Sequence, residues 1–181
     1  MRRLAPLILA ALFLQPAAGA EGTGLALAIK ATYLVKIQPF ITWPASSFPN
    51  PGSPFLICVA GEDPFGSLLD RAVAGLSHQD RAMMVRRLPA TDTGPGCQIL
   101  FIASSDPQLL RRTLAAVRGK PVLTVTDAVT DDDAQGIINF VEIDNRVRFA
   151  IDDDAAEQGG LDISSKLLSL AVSVRHKGAK E

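Results

Sequence analysis

The chain is poor in nearly every group that enzymes recruit. Among 181 residues there are two histidines, His78 and His176, and two cysteines, Cys58 and Cys97. A catalytic histidine needs an orienting partner beside a nucleophile. Neither histidine lies in such a motif, and no G-x-S-x-G elbow occurs. Both fall in polar segments and read as surface groups. No Cys/His cluster has zinc spacing. Basic charge is also scarce: 18 Lys and Arg stand against 19 Asp and Glu, which excludes a nucleic-acid or anionic-membrane surface. Internal repeats, low-complexity tracts and a second apolar run of transmembrane length are missing too. No metal site and no cofactor are expected.

Three apparent motifs fail on chemistry. "GEDPFG" (61–66) has the glycine spacing of a phosphate cradle, but no Lys follows, and Glu62 and Asp63 would repel the phosphate. Asp63 reads instead as a helix N-cap with Pro64 at the first helical position. The runs Asp131–Asp133 and Asp152–Asp154 lack the spacing of a calcium loop and read as caps with solvated first turns. The pair Glu62–Asp63 resembles the acidic pocket of a receiver domain. The third strand, however, ends in Ala103-Ser104-Ser105 rather than in a phosphoacceptor aspartate.

What is present begins with a leader. Arg2 and Arg3 precede the apolar run Leu4–Leu14, which is too short to span a bilayer, and Ala18-Gly19-Ala20 offers a small-residue cleavage site. Residues 1–20 are expected to be a signal peptide cleaved after Ala20. The remaining 161 residues carry 16 basic and 19 acidic groups. They suit one domain, 21–175, followed by a flexible tail, 176–181. An exported chain meets an oxidising compartment, where disulfides persist. A Cys58–Cys97 bond would close a loop of about 40 residues, worth on the order of 4 kcal/mol in the chain-entropy description. Two buried free thiols are the alternative.

The pattern alternates between strands and helices. A helix is expected from Leu25 to about Gln38, ended or kinked by Pro39. Apolar strands are expected over 55–60, 83–88, 97–103 and 121–126. Helices are expected over 64–74 and 106–118, the second capped by Asp106 and closed by Gly119. Strands 137–143 and 146–151 should form a hairpin around Asp144-Asn145. A short helix over 152–158 and an amphipathic helix over 164–174 complete the chain. The fold class is thus α/β: a mostly parallel, Rossmann-like sheet of five or six strands, helices on both faces, and an antiparallel hairpin at one edge. If the first and third strands are neighbours, Cys58 and Cys97 come within bonding range.

Six stretches taken together, "KATYLVKIQPFITWP", "ICVAGEDPFGSLL", "GCQILFIASS", "VLTVTDA", "GIINFVEIDNRVRFAID" and "GLDISSKLLSLA", resemble the YfiR family in order and spacing. The resemblance implies a periplasmic, often dimeric α/β protein. It implies binding to the periplasmic sensor domain of a membrane diguanylate cyclase, which is thereby held inactive, so that cyclic di-GMP and biofilm are restrained. It also places Cys58 and Cys97 at the positions of a family disulfide. A sensor kinase is the other class of membrane partner.

Candidate contact residues follow from residue type. Phe40, Trp43 and Phe48 lie in a proline-rich segment, and large aromatics are favoured interface anchors; the alternative has Trp43 capping the core. Arg146 and Arg148 could meet an acidic partner or form a solvated strand face. A rival reading is a small-molecule sensor with a pocket at the carboxyl ends of the strands, near Asp63, Ser104 and Asp127.

Overall fold

A computed structural model describes residues 18–176. Residues 1–17, most of the expected leader, and residues 177–181, most of the expected tail, lie outside the described residues. The expected cleavage point after Ala20 falls within the first helix, α1 (Ala18–Lys36).

After α1 the chain turns through a short 3-10 segment, Gln38–Phe40, which contains Pro39. It then forms β1 (Ile41–Thr42), β2 (Phe55–Gly61), α2 (Ser67–Val73), β3 (Ser77–His78) and β4 (Arg81–Leu88). Next come β5 (Ile99–Ala103), α3 (Pro107–Val117), β6 (Leu123–Asp127), β7 (Ile138–Ile143) and β8 (Arg146–Asp152). The chain closes with α4 (Asp153–Gln158), β9 (Asp162–Ile163), α5 (Ser165–Leu168) and β10 (Val174–Arg175).

Eight strands make one sheet in the order β10-β8-β7-β6-β5-β2-β4-β3, and β1 pairs with β9 separately. The sheet is mixed but mostly parallel; β7–β8 and β3–β4 are antiparallel. It has more strands than the five or six expected. The six anticipated strands are all present. The surplus strands are two residues long, below the length at which alternation carries any signal.

Why the central strands read as unbroken apolar runs is visible in where they point. Ile57 and Val59 face one core with Leu34 of α1, Leu69 of α2 and Phe101. Cys58 and Ala60 face a second core with Leu110 and Val117 of α3. A strand covered on both faces has no polar side to display. β2 and β5 are neighbours, Ile57 opposite Ile99 and Cys58 opposite Leu100. Cys58 and Cys97 are joined, with Cα atoms 6.0 Å apart.

Gln98, the residue after Cys97, is buried and fully used. Its side-chain oxygen accepts from Leu56 N–H (2.7 Å), and its amide donates to the carbonyls of Ser47 (2.7 Å) and Gly96 (3.2 Å). Its backbone carbonyl accepts from Trp43 Nε1 (3.1 Å) and from Leu123 N–H (2.9 Å). One residue, through side chain and backbone, therefore ties β2, β5, β6 and the proline-rich segment together. Arg81 does the same for the outer part of that segment. It donates to the carbonyls of Asn50, Pro51 and Ser53 and lies 4.1 Å from the centre of the Phe48 ring.

The caps behave unequally. Asp106 accepts from Gln108 N–H (2.9 Å) and Asp152 from Ala155 N–H (3.0 Å), as helix N-caps should. Gly119 takes a left-handed conformation after α3. Asp144 and Asn145 both have positive φ, the two-residue turn whose twist suits a hairpin. Asp63 does not cap a helix. It accepts from Phe65 N–H (2.8 Å) in a local turn, Gly66 takes φ +48°, and α2 starts only at Ser67. The helix expected over 164–174 is reduced to Ser165–Leu168. Beyond it, Val172 N–H donates to Phe149 and Ser173 accepts from Ile151 N–H. The open edge of β8 has captured this backbone, and β10 pairs with it.

His78 overturns its reading as a surface group. It is buried at 8% exposure, with its ring 4.8 Å from Phe55 and 5.8 Å from Trp43. A two-residue edge strand folds back over the core and carries it inward. Burial, and then the positive charge of Arg81, lower its pKa from the usual 6.5. The neutral ring is therefore favoured in the folded state. Unfolded chains take up the proton first as pH falls, so this contribution is complete above about pH 6.5 and declines below it. Urea unfolding of the wild type should lose stability on acidification from pH 7 to 5, and His78→Phe should remove a measurable part of that slope. An identical pH dependence in the two proteins would contradict the buried neutral ring.

Candidate functional site

The sheet order creates a place where a ligand or partner would be met. From β2 the chain crosses to β4 on one side and returns to β5 on the other. Loops leaving the two central strands in opposite directions open a crevice at their carboxyl ends, the usual ligand position in such sheets. A cleft of about 670 Å³ lies there. Glu62 and Asp63 follow β2, Ser104 follows β5, Asp127 ends β6, and all four line it. The three residues expected at this pocket are thus brought together.

Their chemistry is already occupied. Both oxygens of Asp127 accept from Lys30 Nζ, at 2.6 and 2.7 Å, across 97 positions of sequence. Asp63 takes Arg87 Nε at 2.7 Å. Arg87 also binds Asp70 (2.7 Å) and the Gly66 carbonyl (2.9 Å). That hydrogen bond holds Asp70 below the ordinary carboxylate range, and the two carboxylates raise Arg87 further above its usual value. Asp131 on the far wall pairs with Arg111. Ser104 Oγ accepts from Asp106 N–H (3.0 Å) and so belongs to a local turn. Neither histidine lines the cleft. Ser104 is thus engaged in a turn, and Asp63 and Asp127 each hold a cation.

The acidic runs are consumed in the same way. Asp131 accepts from Asp133 N–H as a cap, and Arg175 of β10 reaches Asp152 (3.0 Å) and Asp132 (3.6 Å). His176 Nδ1 lies 3.2 Å from Asp153. Among the described residues no group of three or more His, Cys, Asp and Glu could hold a metal ion. No helix among them is long and apolar enough to cross a membrane.

The candidate contact residues separate into two places. Trp43 is buried, edge-on to Phe55 at 5.0 Å, with its N–H spent on Gln98. The ring belongs to the core and is not an exposed anchor. Phe40 and Phe48 are half-buried and pack against the same core. Arg146 and Arg148 are exposed on β8, opposite Ile143 and Val141 of β7. Trp43 lies in the core on one side of the sheet and the Cys58–Cys97 bond in the core on the other.

A family model described as YfiR/HmsC-like matches residues 27–172. The chain belongs to the YfiR/HmsC-like family. No curated protein matches it. The matched span runs from within α1 to the turn before β10, so it takes in the disulfide, the cleft and the hairpin of this YfiR/HmsC-like domain.

Sequence reading missed Lys30, Arg87 and Gln98, the residues that neutralise or stitch the site. Lys30 sits on the expected first helix, yet nothing local signals a partner 97 residues away. The Lys30–Asp127 pair is partly buried, Lys30 more so than Asp127. Removing one partner leaves the other charge poorly solvated. Lys30→Met should cost about 1–2 kcal/mol at neutral pH, read by chemical denaturation. In the Asp127→Asn background the same change should cost clearly less. Equal costs in both backgrounds would show that the pair does not couple α1 to β6.

Proposed function

We propose that this chain is a periplasmic regulatory binding protein without catalytic activity. It restrains the sensor domain of a membrane diguanylate cyclase and so lowers cyclic di-GMP. The YfiR/HmsC-like match over most of the chain carries this reading. The strand-end cleft supports it, because three of its four carboxylates, Asp63, Asp127 and Asp131, are engaged by cations of the fold rather than left for turnover. A leader cleaved after Ala20 would deliver the domain to the periplasm, and a sensor kinase is the alternative class of membrane partner.

Restraint of this kind is thermodynamic. A bound regulator shifts a two-state sensor only by its difference in affinity for the two states. Moving the sensor from 99:1 active to 1:99 requires about 5.5 kcal/mol of that difference. A stiff body suits the task, since a partner that remodels on contact binds both states more evenly. In cells, deleting the chain should raise cyclic di-GMP, and periplasmic re-expression of the mature form should restore it. The mature protein should also retain a diguanylate cyclase on affinity capture from detergent-solubilised membranes. Unchanged nucleotide levels together with no cyclase in the captured fraction would reject the assignment.

The cleft favours a second reading, a domain that senses a small molecule at the ends of β2, β5 and β6. Its position at the crossover point is the supporting observation. A panel of periplasmic metabolites should then include one that raises the melting temperature by about 2 °C or more. The shift should vanish in Ser104→Trp, which fills the crevice. A shift that survives this substitution would move the ligand elsewhere.

A further inference from the structure

The β7–β8 hairpin is covered on one side only. Tyr33 of α1 packs on Phe140 and Phe149, with ring centres 6.1 and 5.6 Å away. On the opposite side α3 covers β2 and β5, but over the hairpin there is a groove of about 940 Å³. An antiparallel hairpin commonly leaves one face to water, and that face is then polar. This one is not. Val141, Ile143 and Ala150 project into the groove, and Val172 from the strand-like strap forms its side. Ile143 is 45% and Val172 47% exposed.

The same face carries unpaired positive charge, since the two aspartates of the groove, Asp132 and Asp152, are both held by Arg175. By register Arg148 stands opposite Val141, and Arg146 opposite Ile143. Both are exposed, and neither pairs with an acid among the described residues. This sets them apart from Arg87, Arg111 and Arg175, each of which is held by aspartate. Two free guanidiniums beside four accessible apolar side chains define a complement: an acidic segment that also inserts an apolar anchor. A second copy of the chain is a poor occupant, because a two-fold contact through this face would bring arginine toward arginine. The chain's own last five residues, Lys-Gly-Ala-Lys-Glu, carry two lysines and are equally unsuited.

We infer that the outer face of the β7–β8 hairpin is the docking surface for an acidic, apolar-tipped segment of the membrane partner. This rests on the regulatory reading above and gives it a location. Apolar insertion supplies the affinity, while the arginine pair steers the encounter and fixes register. Both arginines and Ile143 are exposed, so their replacement should leave the fold intact.

The test uses the mature protein and the periplasmic domain of the cyclase that it retains, with binding followed by biolayer interferometry at two salt concentrations. Arg146→Glu/Arg148→Glu should weaken binding by about tenfold or more. The loss should be larger at low salt, with melting temperature and near-ultraviolet dichroism unchanged. Ile143→Ser should weaken binding comparably at both salts. Arg112→Glu, a matched reversal on α3, should leave binding within about twofold of wild type. Retained binding by the reversed hairpin, or an equal loss in Arg112→Glu, would overturn the docking surface and leave the regulatory reading standing. Failure of the wild type to bind any membrane cyclase would overturn both. Dissociation of a wild-type dimer by the hairpin reversal, seen in sedimentation, would assign the face to self-association and overturn the proposal.

Discussion

The side-by-side pairing of β2 and β5 is the contact on which the rest of the molecule depends. At the amino end of the pair, Cys58 and Cys97 are bonded, and Gln98 returns two hydrogen bonds to Leu56. At the carboxyl end, Gly61 approaches Ala103 so closely that a Cβ would run into the Ala103 carbonyl oxygen. Gly61 also holds φ +101°, a conformation open to glycine and costly for other residues. One end of the pair is fastened covalently and the other by close approach. The crossover crevice opens where the pair ends, so its walls are fixed relative to each other by the same contact. The disulfide therefore does more than limit the unfolded chain. It also sets the spacing of the two strands whose loops form the cleft.

Four cations among the described residues are spent on ion pairs that tie the fold together. Lys30 fastens α1 to β6, Arg87 fastens β4 to the turn after β2, Arg111 fastens α3 to the connector before β7, and Arg175 fastens the last strand to the end of β8. Each pair joins elements far apart in sequence. Individually, exposed pairs of this kind contribute little, on the order of 0–1 kcal/mol. Their collective effect is to remove ionisable groups from circulation. In the crevice, Asp63, Asp127 and Asp131 are each engaged by a cation of the fold itself. The buried network of Thr126, Asn139 and Gly136 belongs to the same pattern. Asn139 accepts from Thr126 Oγ1 and donates to Val129, which pins the long connector between β6 and β7.

What the sequence disclosed and what it concealed divide along physical lines. Unbroken apolar runs such as "FLICVA" had a single explanation, burial on both faces, and they became central strands. Asp106 and Asp152 were legible as caps because capping is satisfied within three residues. The Asp144-Asn145 turn was legible for the same reason. Asp63 misled because a turn and an N-cap present the same aspartate-proline signature, and only the backbone of Gly66 decides between them. The helix expected after Ser164 lost its second half to a competitor outside the segment, the unpaired edge of β8. His78 was hidden because a two-residue edge strand has no periodicity to reveal which way its side chains point. Of the site, Asp63, Ser104 and Asp127 could be placed together from strand order alone. Lys30 and Arg87 could not, since an ion pair across the fold leaves no trace in local pattern.

The asymmetry of the two sheet faces follows from these constraints. One face of the whole sheet is closed by α1 and α2, and α1 reaches the hairpin through Tyr33. On the other face, α3 is the crossover between β5 and β6, and the connector before β7 ends in Ala134 under the same helix. No crossover remains to cover β7 and β8 there, because a two-residue turn joins them and α4 leaves from the end of β8. The chain thus reaches its end with one strip of sheet uncovered, and the short strap formed by β10 closes only the edge. An uncovered strip would ordinarily be made hydrophilic, as Arg146 and Arg148 partly make it. The retention of Val141, Ile143 and Ala150 between them, against the general cost of exposing apolar surface, fits a face whose cover is supplied by another molecule.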